Sequence, residues 1–117
     1  MTQEIIENNK LIAEFMGFKE EPFNRVHNMF TKEGEQWFTA HNSQYHTSWD
    51  WLMPAWLKFR ELKFDDVKHQ FYHSKHKEMI SRVIAYMNDG TPKLAFEALS
   101  IAIKWYNTTT PKVNQTI

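Results

Sequence analysis

The sequence predicts a mainly α-helical domain, with α+β as the variant, in which four to five helices surround a central C-terminal helix. Three observations lead there. Apolar residues recur at helical spacing along most of the chain, and start and stop signals bracket those runs. The one stretch without a helical period, residues 18–46, is dense in aromatics and turn formers. An aromatic-rich β-hairpin or loop is therefore expected at 23–46. A single globular domain should cover 1–107, with a flexible C-terminal tail at 108–117.

Thr2 suits the N-cap of the first helix and Glu4 the positive end of its dipole, and Ile5, Leu11, Ile12, Phe15 and Met16 form its apolar stripe. Gly17 stops this helix as a C′ residue, and Phe18 can fold back on the last turn. Further on, Val26, Asn28 and Phe30 alternate with polar residues. Beyond Lys32-Glu33-Gly34-Glu35, Trp37 and Thr39 alternate again. That pattern fits a hairpin with a Gly-containing turn or an irregular aromatic loop.

Thr47-Ser48-Trp49-Asp50 matches a capping box. Pro54 deep inside a helix would clash with the carbonyl four residues back, at a cost of about 3 kcal/mol. The expectation is a short capped turn at 48–52, then a helix with Pro54 in its first turn and Leu52, Trp56, Phe59 and Leu62 on one face. Asp65 or Asp66 caps the next helix, which runs towards Met87. Phe64, Val67 and Phe71 define one face of it, and Met79, Ile80, Val83, Ile84 and Met87 another. A break near Ser74 is the cheaper solution, and one long helix with different partners along its length is the alternative.

Thr91 as N-cap and Pro92 at N1 open the last helix. Leu94, Ala95, Ala98, Leu99, Ile101, Ala102, Trp105 and Tyr106 cover more than half of its circumference. Lys93, Glu97, Ser100 and Lys104 leave a narrow polar strip. A helix apolar over so wide an arc belongs at the centre of the fold. From Asn107 onward no packing pattern continues.

Composition removes several function classes. With no cysteine there is no disulfide framework, thiolate metal site or cysteine nucleophile. Fourteen basic and fourteen acidic side chains cancel, so no global field draws the chain to duplex DNA or anionic lipid. No apolar run approaches the roughly 18 residues that span a bilayer. The opening Met1-Thr2-Gln3-Glu4 lacks the layout of a signal peptide, so a cytoplasmic protein is expected. Gly17, Gly34 and Gly90 are each accounted for by a cap or turn, which leaves no Gly-rich phosphate loop.

Three groups of residues could carry chemistry. Asp65, His69 and His76 share one helical face at about 100° per residue, with His73 on its shoulder. Imidazoles one turn apart can grip zinc, nickel or copper, with the carboxylate completing the set. A solvated face flanked by Lys68, Lys75 and Lys77 explains the same residues. Tyr45, His46, Trp49 and Trp51 could wall a pocket in which a ring stacks on a planar ligand; core packing is the competing account. Arg60, Lys68 and Tyr72 could add phosphate and base contacts suited to a nucleotide, or form a charged outer face balanced by Glu61, Asp65 and Asp66.

The blocks Asn8–Gly17 (NNKLIAEFMG), Tyr45–Pro54 (YHTSWDWLMP) and Ile103–Asn107 (IKWYN) resemble a family of small bacteriophage and prophage proteins, mainly from Bacteroidetes phages. Between Phe59 and Asn88 the chain departs from that pattern, and the resemblance assigns no catalytic residue. It implies a setting in the cytoplasm of an infected bacterial host. There the expected role is a non-enzymatic accessory protein, a counter-defence factor that sequesters a nucleotide-type signal or occludes a host protein. The alternatives are a metal-dependent hydrolase using the His cluster and a self-associating structural protein, hence a homo-oligomer. No cofactor is assigned by the sequence.

Overall fold

The computed structural model describes residues 2–22, 28–62, 70–88 and 90–109, with only the backbone described at 70–73 and 109. Four α-helices and a small antiparallel sheet make up the described fold. The helices are α1 (Gln3–Phe15), α2 (Trp49–Arg60), α3 (Gln70–Met87) and α4 (Pro92–Thr109); the strands are β1 (Lys19–Pro22), β2 (Asn28–Thr31) and β3 (Phe38–Thr39), followed by a 3₁₀ turn at Ala40–Asn42.

Helix α1 begins and ends as its sequence signals. The Thr2 hydroxyl accepts the Ile5 amide at 3.2 Å. At the other end Gly17, at φ 95°, donates to the Glu14 carbonyl, and Phe18 donates to that of Ala13, both at 3.0 Å. That pairing is a Schellman motif, and it needs the left-handed conformation that glycine adopts without strain. The buried face differs from the expected stripe. Asn8 and Asn9 lie in the core beside Ile12 and Ala13, while Leu11 and Phe15 are half-buried.

The hairpin reading of residues 28–39 holds, with Met29 opposite Thr39 and Phe30 opposite Phe38. The Gly-containing turn closes through a Glu35 amide to Lys32 carbonyl bond of 3.0 Å. Phe30 and Phe38 face inward while Trp37 is 56% exposed, so the core side of β3 is set by Phe38. Strand β1 pairs with β2 from Lys19 opposite Thr31 to Pro22 opposite Asn28, and was not foreseen. Its Lys-Glu-Glu-Pro sequence is exposed throughout and carries no alternation to read. Pro22 is tolerated there because β1 is an edge strand.

Helix α2 corrects two expectations. It is continuous from Trp49 to Arg60, with no separate turn at 48–52, and Pro54 sits inside it. Its N-cap is Ser48, which makes no side-chain capping bond, so the Thr47–Asp50 capping box does not form. Asp50, whose carbonyl Pro54 deprives of an amide partner, lies with it on the exposed side, where water can replace the lost bond. The opposite side buries Leu52, Ala55, Trp56 and Phe59, and that burial outweighs the local cost.

Helix α3 runs unbroken through Ser74, against the expected break. The second stripe starts earlier than the apolar residues suggest, because His76 joins Met79 and Val83 on the buried face at helical spacing. The Asp65 or Asp66 cap and the Phe64–Val67 face lie outside the described residues.

Helix α4 is central as expected and touches α1, α2 and α3. Its buried arc, however, is rotated. Phe96, Ser100 and Ile103 are buried with Ala95, Leu99 and Ala102, whereas Leu94 is 38% and Ile101 55% exposed. Ser100 fits the core because its hydroxyl donates to the Phe96 carbonyl at 2.8 Å. The helix also continues past Asn107 to Thr109, where the Thr108 hydroxyl donates to the Lys104 carbonyl at 2.9 Å. No helix among the described residues is long and apolar enough to cross a membrane.

Candidate functional site

The turn of the hairpin, the 3₁₀ segment and the first turns of α2 enclose a cleft of about 710 Å³. That is the size of a site for a drug-sized molecule or a short peptide segment. Its floor is aromatic. The Trp51 ring lies 4.9 Å from that of Phe38, at 74°, and 5.2 Å from that of Tyr45, at 87°. Phe38 and Tyr45 lie 6.3 Å apart at 70°, and Phe18 meets Phe38 at 4.9 Å. Such edge-to-face packing fixes each ring through its neighbours and leaves Trp51 half-buried at the cleft wall. Trp37 stands exposed on the rim.

Polar groups ring this floor. Lys32, Glu35 and Asp50 carry the charge, and Gln36, Asn42 and Gln44 add amides. The Lys32 ammonium is engaged, donating to the Met16 carbonyl at 2.8 Å and lying 5.5 Å from the centre of the Phe18 ring. Glu35 and Asp50 make no side-chain hydrogen bond or ion pair among the described residues. Tyr45 is 4% exposed, and no hydrogen bond reaches its hydroxyl among the described residues. Burial first, and the Glu35 charge second, push its pKa up to about 12, so it stays a neutral phenol.

Of the sequence-derived ligand residues, Tyr45 and Trp51 line the cleft. His46 and Trp49 are turned away from it. The His46 ring contacts Phe96 at 5.7 Å and meets the Asn9 side chain, while Trp49 packs half-buried against the core. Arg60 is exposed at the far end of α2 and does not border the cleft. Lys68 and the Tyr72 side chain lie outside the described residues. Trp37 and Glu35, which do border the cleft, were hidden in a segment read only as strand and turn. Knowing that Phe38 points inward would have turned Trp37 outward.

Of the proposed metal set, His76 alone has a described side chain. Asp65, His69 and the His73 side chain lie outside the described residues. His76 is 4% exposed, and its Nε2 donates to the Phe59 carbonyl at 2.7 Å. Its ring lies 4.9 Å from the Phe59 ring, which places it in the core. Among the described residues no group of three His, Asp or Glu side chains could hold a metal ion.

In comparisons with known proteins, no family model, no curated protein and no solved structure matches the chain. The cleft itself is therefore the guide to function.

Proposed function

We propose that the protein is a non-enzymatic binding protein that holds its target in the aromatic cleft. The phage resemblance adds a setting: an accessory, counter-defence factor in the cytoplasm of an infected bacterium. The observation that carries the reading is that the half-buried Trp51 borders about 710 Å³ of open space, with the buried Tyr45 beneath it and an exposed Trp37 at the rim. An indole held in place by its neighbours can stack on a planar group with little ordering cost. A nucleobase and a side chain of a host protein both meet that requirement.

The test is a thermal-shift and calorimetric panel of nucleotides, cyclic ones included, run beside pull-down from host lysate, with Trp51→Ala and Trp37→Ala as controls. Binding that Trp51→Ala removes supports the cleft. A ligand or partner bound equally by both variants and the parent protein would show that the cleft is not the site.

A second reading, self-association, draws on a different surface. Ile84, Tyr86, Leu94 and Ile101 are exposed along α3 and α4, around a groove of about 150 Å³ with Arg82 and Glu97 at its edges. A two-fold related copy could set Arg82 opposite Glu97 while covering the apolar residues. Light scattering tests this directly. A monomer at millimolar concentration would dismiss it.

A further inference from the structure

We propose that the cleft recognises a guanidinium group, the arginine side chain of a partner protein, stacked on indole and paired with the carboxylates of Glu35 and Asp50. This rests on the cleft being the binding site, and it names the chemistry of the occupant.

The charge in the cleft decides the sign of that occupant. One ammonium, that of Lys32, faces two carboxylates, and it is already tied to the Met16 carbonyl and the Phe18 ring. Glu35 and Asp50 have no cationic partner among the described residues. A phosphate placed between them would meet like charge and find no free cation from Arg60, which lies away from the cleft. A cation finds both attraction and desolvating aromatic walls.

Guanidinium fits better than ammonium for three reasons. It is planar and can lie flat on an indole, as Trp37 and Trp51 allow. It is weakly hydrated, so entering an aromatic cleft costs it less. It also presents five N–H donors in a fork, and the cleft offers acceptors in different directions: two carboxylates and the Tyr45 hydroxyl. That hydroxyl borders the cleft and takes no hydrogen bond from the described residues, so it is open to water or to a guest. A donor delivered from outside would complete it. The volume exceeds that of one side chain and the cleft is open, which suits an arginine carried on a chain segment, with Trp37 covering its flank.

The experiment uses the full, ¹⁵N-labelled chain and follows the indole N–H signals of Trp37 and Trp51. The probes are an acetylated Gly-Ser-Arg-Ser-Gly peptide amide, its lysine and citrulline counterparts, and adenosine monophosphate. The arginine peptide should shift both indoles saturably, the lysine peptide severalfold more weakly, and the neutral, isosteric citrulline peptide not at all. Glu35→Gln and Asp50→Asn, both at exposed positions, should each weaken the arginine peptide about fivefold, with thermal melts confirming the fold. Citrulline binding as well as arginine, or variants binding as well as the parent, overturns the proposal. Saturable shifts with adenosine monophosphate and none with arginine also overturn it, while leaving the cleft as the site. Silence of both indoles towards every probe, together with a host partner retained by Trp51→Ala, removes this proposal and the cleft reading together.

Discussion

The side-chain amide of Asn9 lies 3.1 Å from Nδ1 of His46 and can meet it in one orientation only. Its Nδ2 also donates to the Ile5 carbonyl at 3.0 Å, and its Oδ1 accepts the Tyr45 amide at 3.1 Å. Turning the amide over would set acceptor against acceptor at Ile5 and donor against donor at Tyr45. Nδ1 of His46 must therefore accept, which places the ring proton on Nε2.

A protonated His46 would lose that bond, and burial holds its pKa below the ordinary 6.5. On acidification the unfolded chain takes up this proton before the folded one does. The contribution to stability is then complete above about pH 6.5 and is lost as the pH falls towards the folded pKa. The melting temperature should drop between pH 7 and pH 5. His46→Gln, which keeps an acceptor and does not titrate, should flatten part of that drop. Parallel melting profiles for the two proteins would contradict this assignment.

Asn9 is fully buried, and the bond it gives Tyr45 spans the interior between α1 and the cleft segment. Asn9→Ala leaves the Tyr45 amide buried without a partner, so a loss of about 1–3 kcal/mol is expected in urea unfolding. Asn9→Leu, which refills the space, should recover little of it. A fully stable Asn9→Leu protein would mean that packing, and not the hydrogen bond, makes this position matter.

Ile101 and Ile103 form a matched pair on α4, one 55% exposed and the other 0%. Ile103→Ala should cost about 2–5 kcal/mol through the cavity it opens, and Ile101→Ala less than about 0.5 kcal/mol. Equal losses would mean that α4 is rotated from the orientation described.

His76 acts from the core. Replacing it with alanine leaves the Phe59 carbonyl with only its backbone partners, the Leu62 amide at 3.2 Å among them, and opens space beside the Phe59 ring, so a loss of about 1–3 kcal/mol is expected. Chelator should not change that loss, measured on protein purified without a His tag. A loss that chelator abolishes would show that His76 acts through a bound metal.

What the sequence disclosed depended on whether a residue's role was local. The Thr2 cap, the Gly17 stop and the Pro92 start act within a few residues, and each appears where chain order placed it or allows it. Where the role was set by distant partners, pattern misled. Ile101 has the same side chain as Ile103, and only the positions of α1, α2 and α3 decide which one is covered. Asn9 and His76 look like surface residues until their partners from other segments are known. The site divided in the same way: Tyr45 and Trp51 stood out as an aromatic cluster, whereas Glu35 and Trp37 became wall and rim only through the fold of the hairpin against α2.

The end of α1 has one more consequence for the cleft. Its last carbonyls, on Phe15 and Met16, are gripped by Lys58 from α2 and Lys32 from the hairpin turn. Both ammonium groups also rest on aromatic rings, Lys58 at 4.8 Å from that of Phe15. The two jaws are thus moored to adjacent peptide units of a single helix, and neither can swing outward without tearing a cation from its anchorage. The width of the gap is thereby set by α1 before anything enters it, so a ligand of this cleft would meet walls already in place.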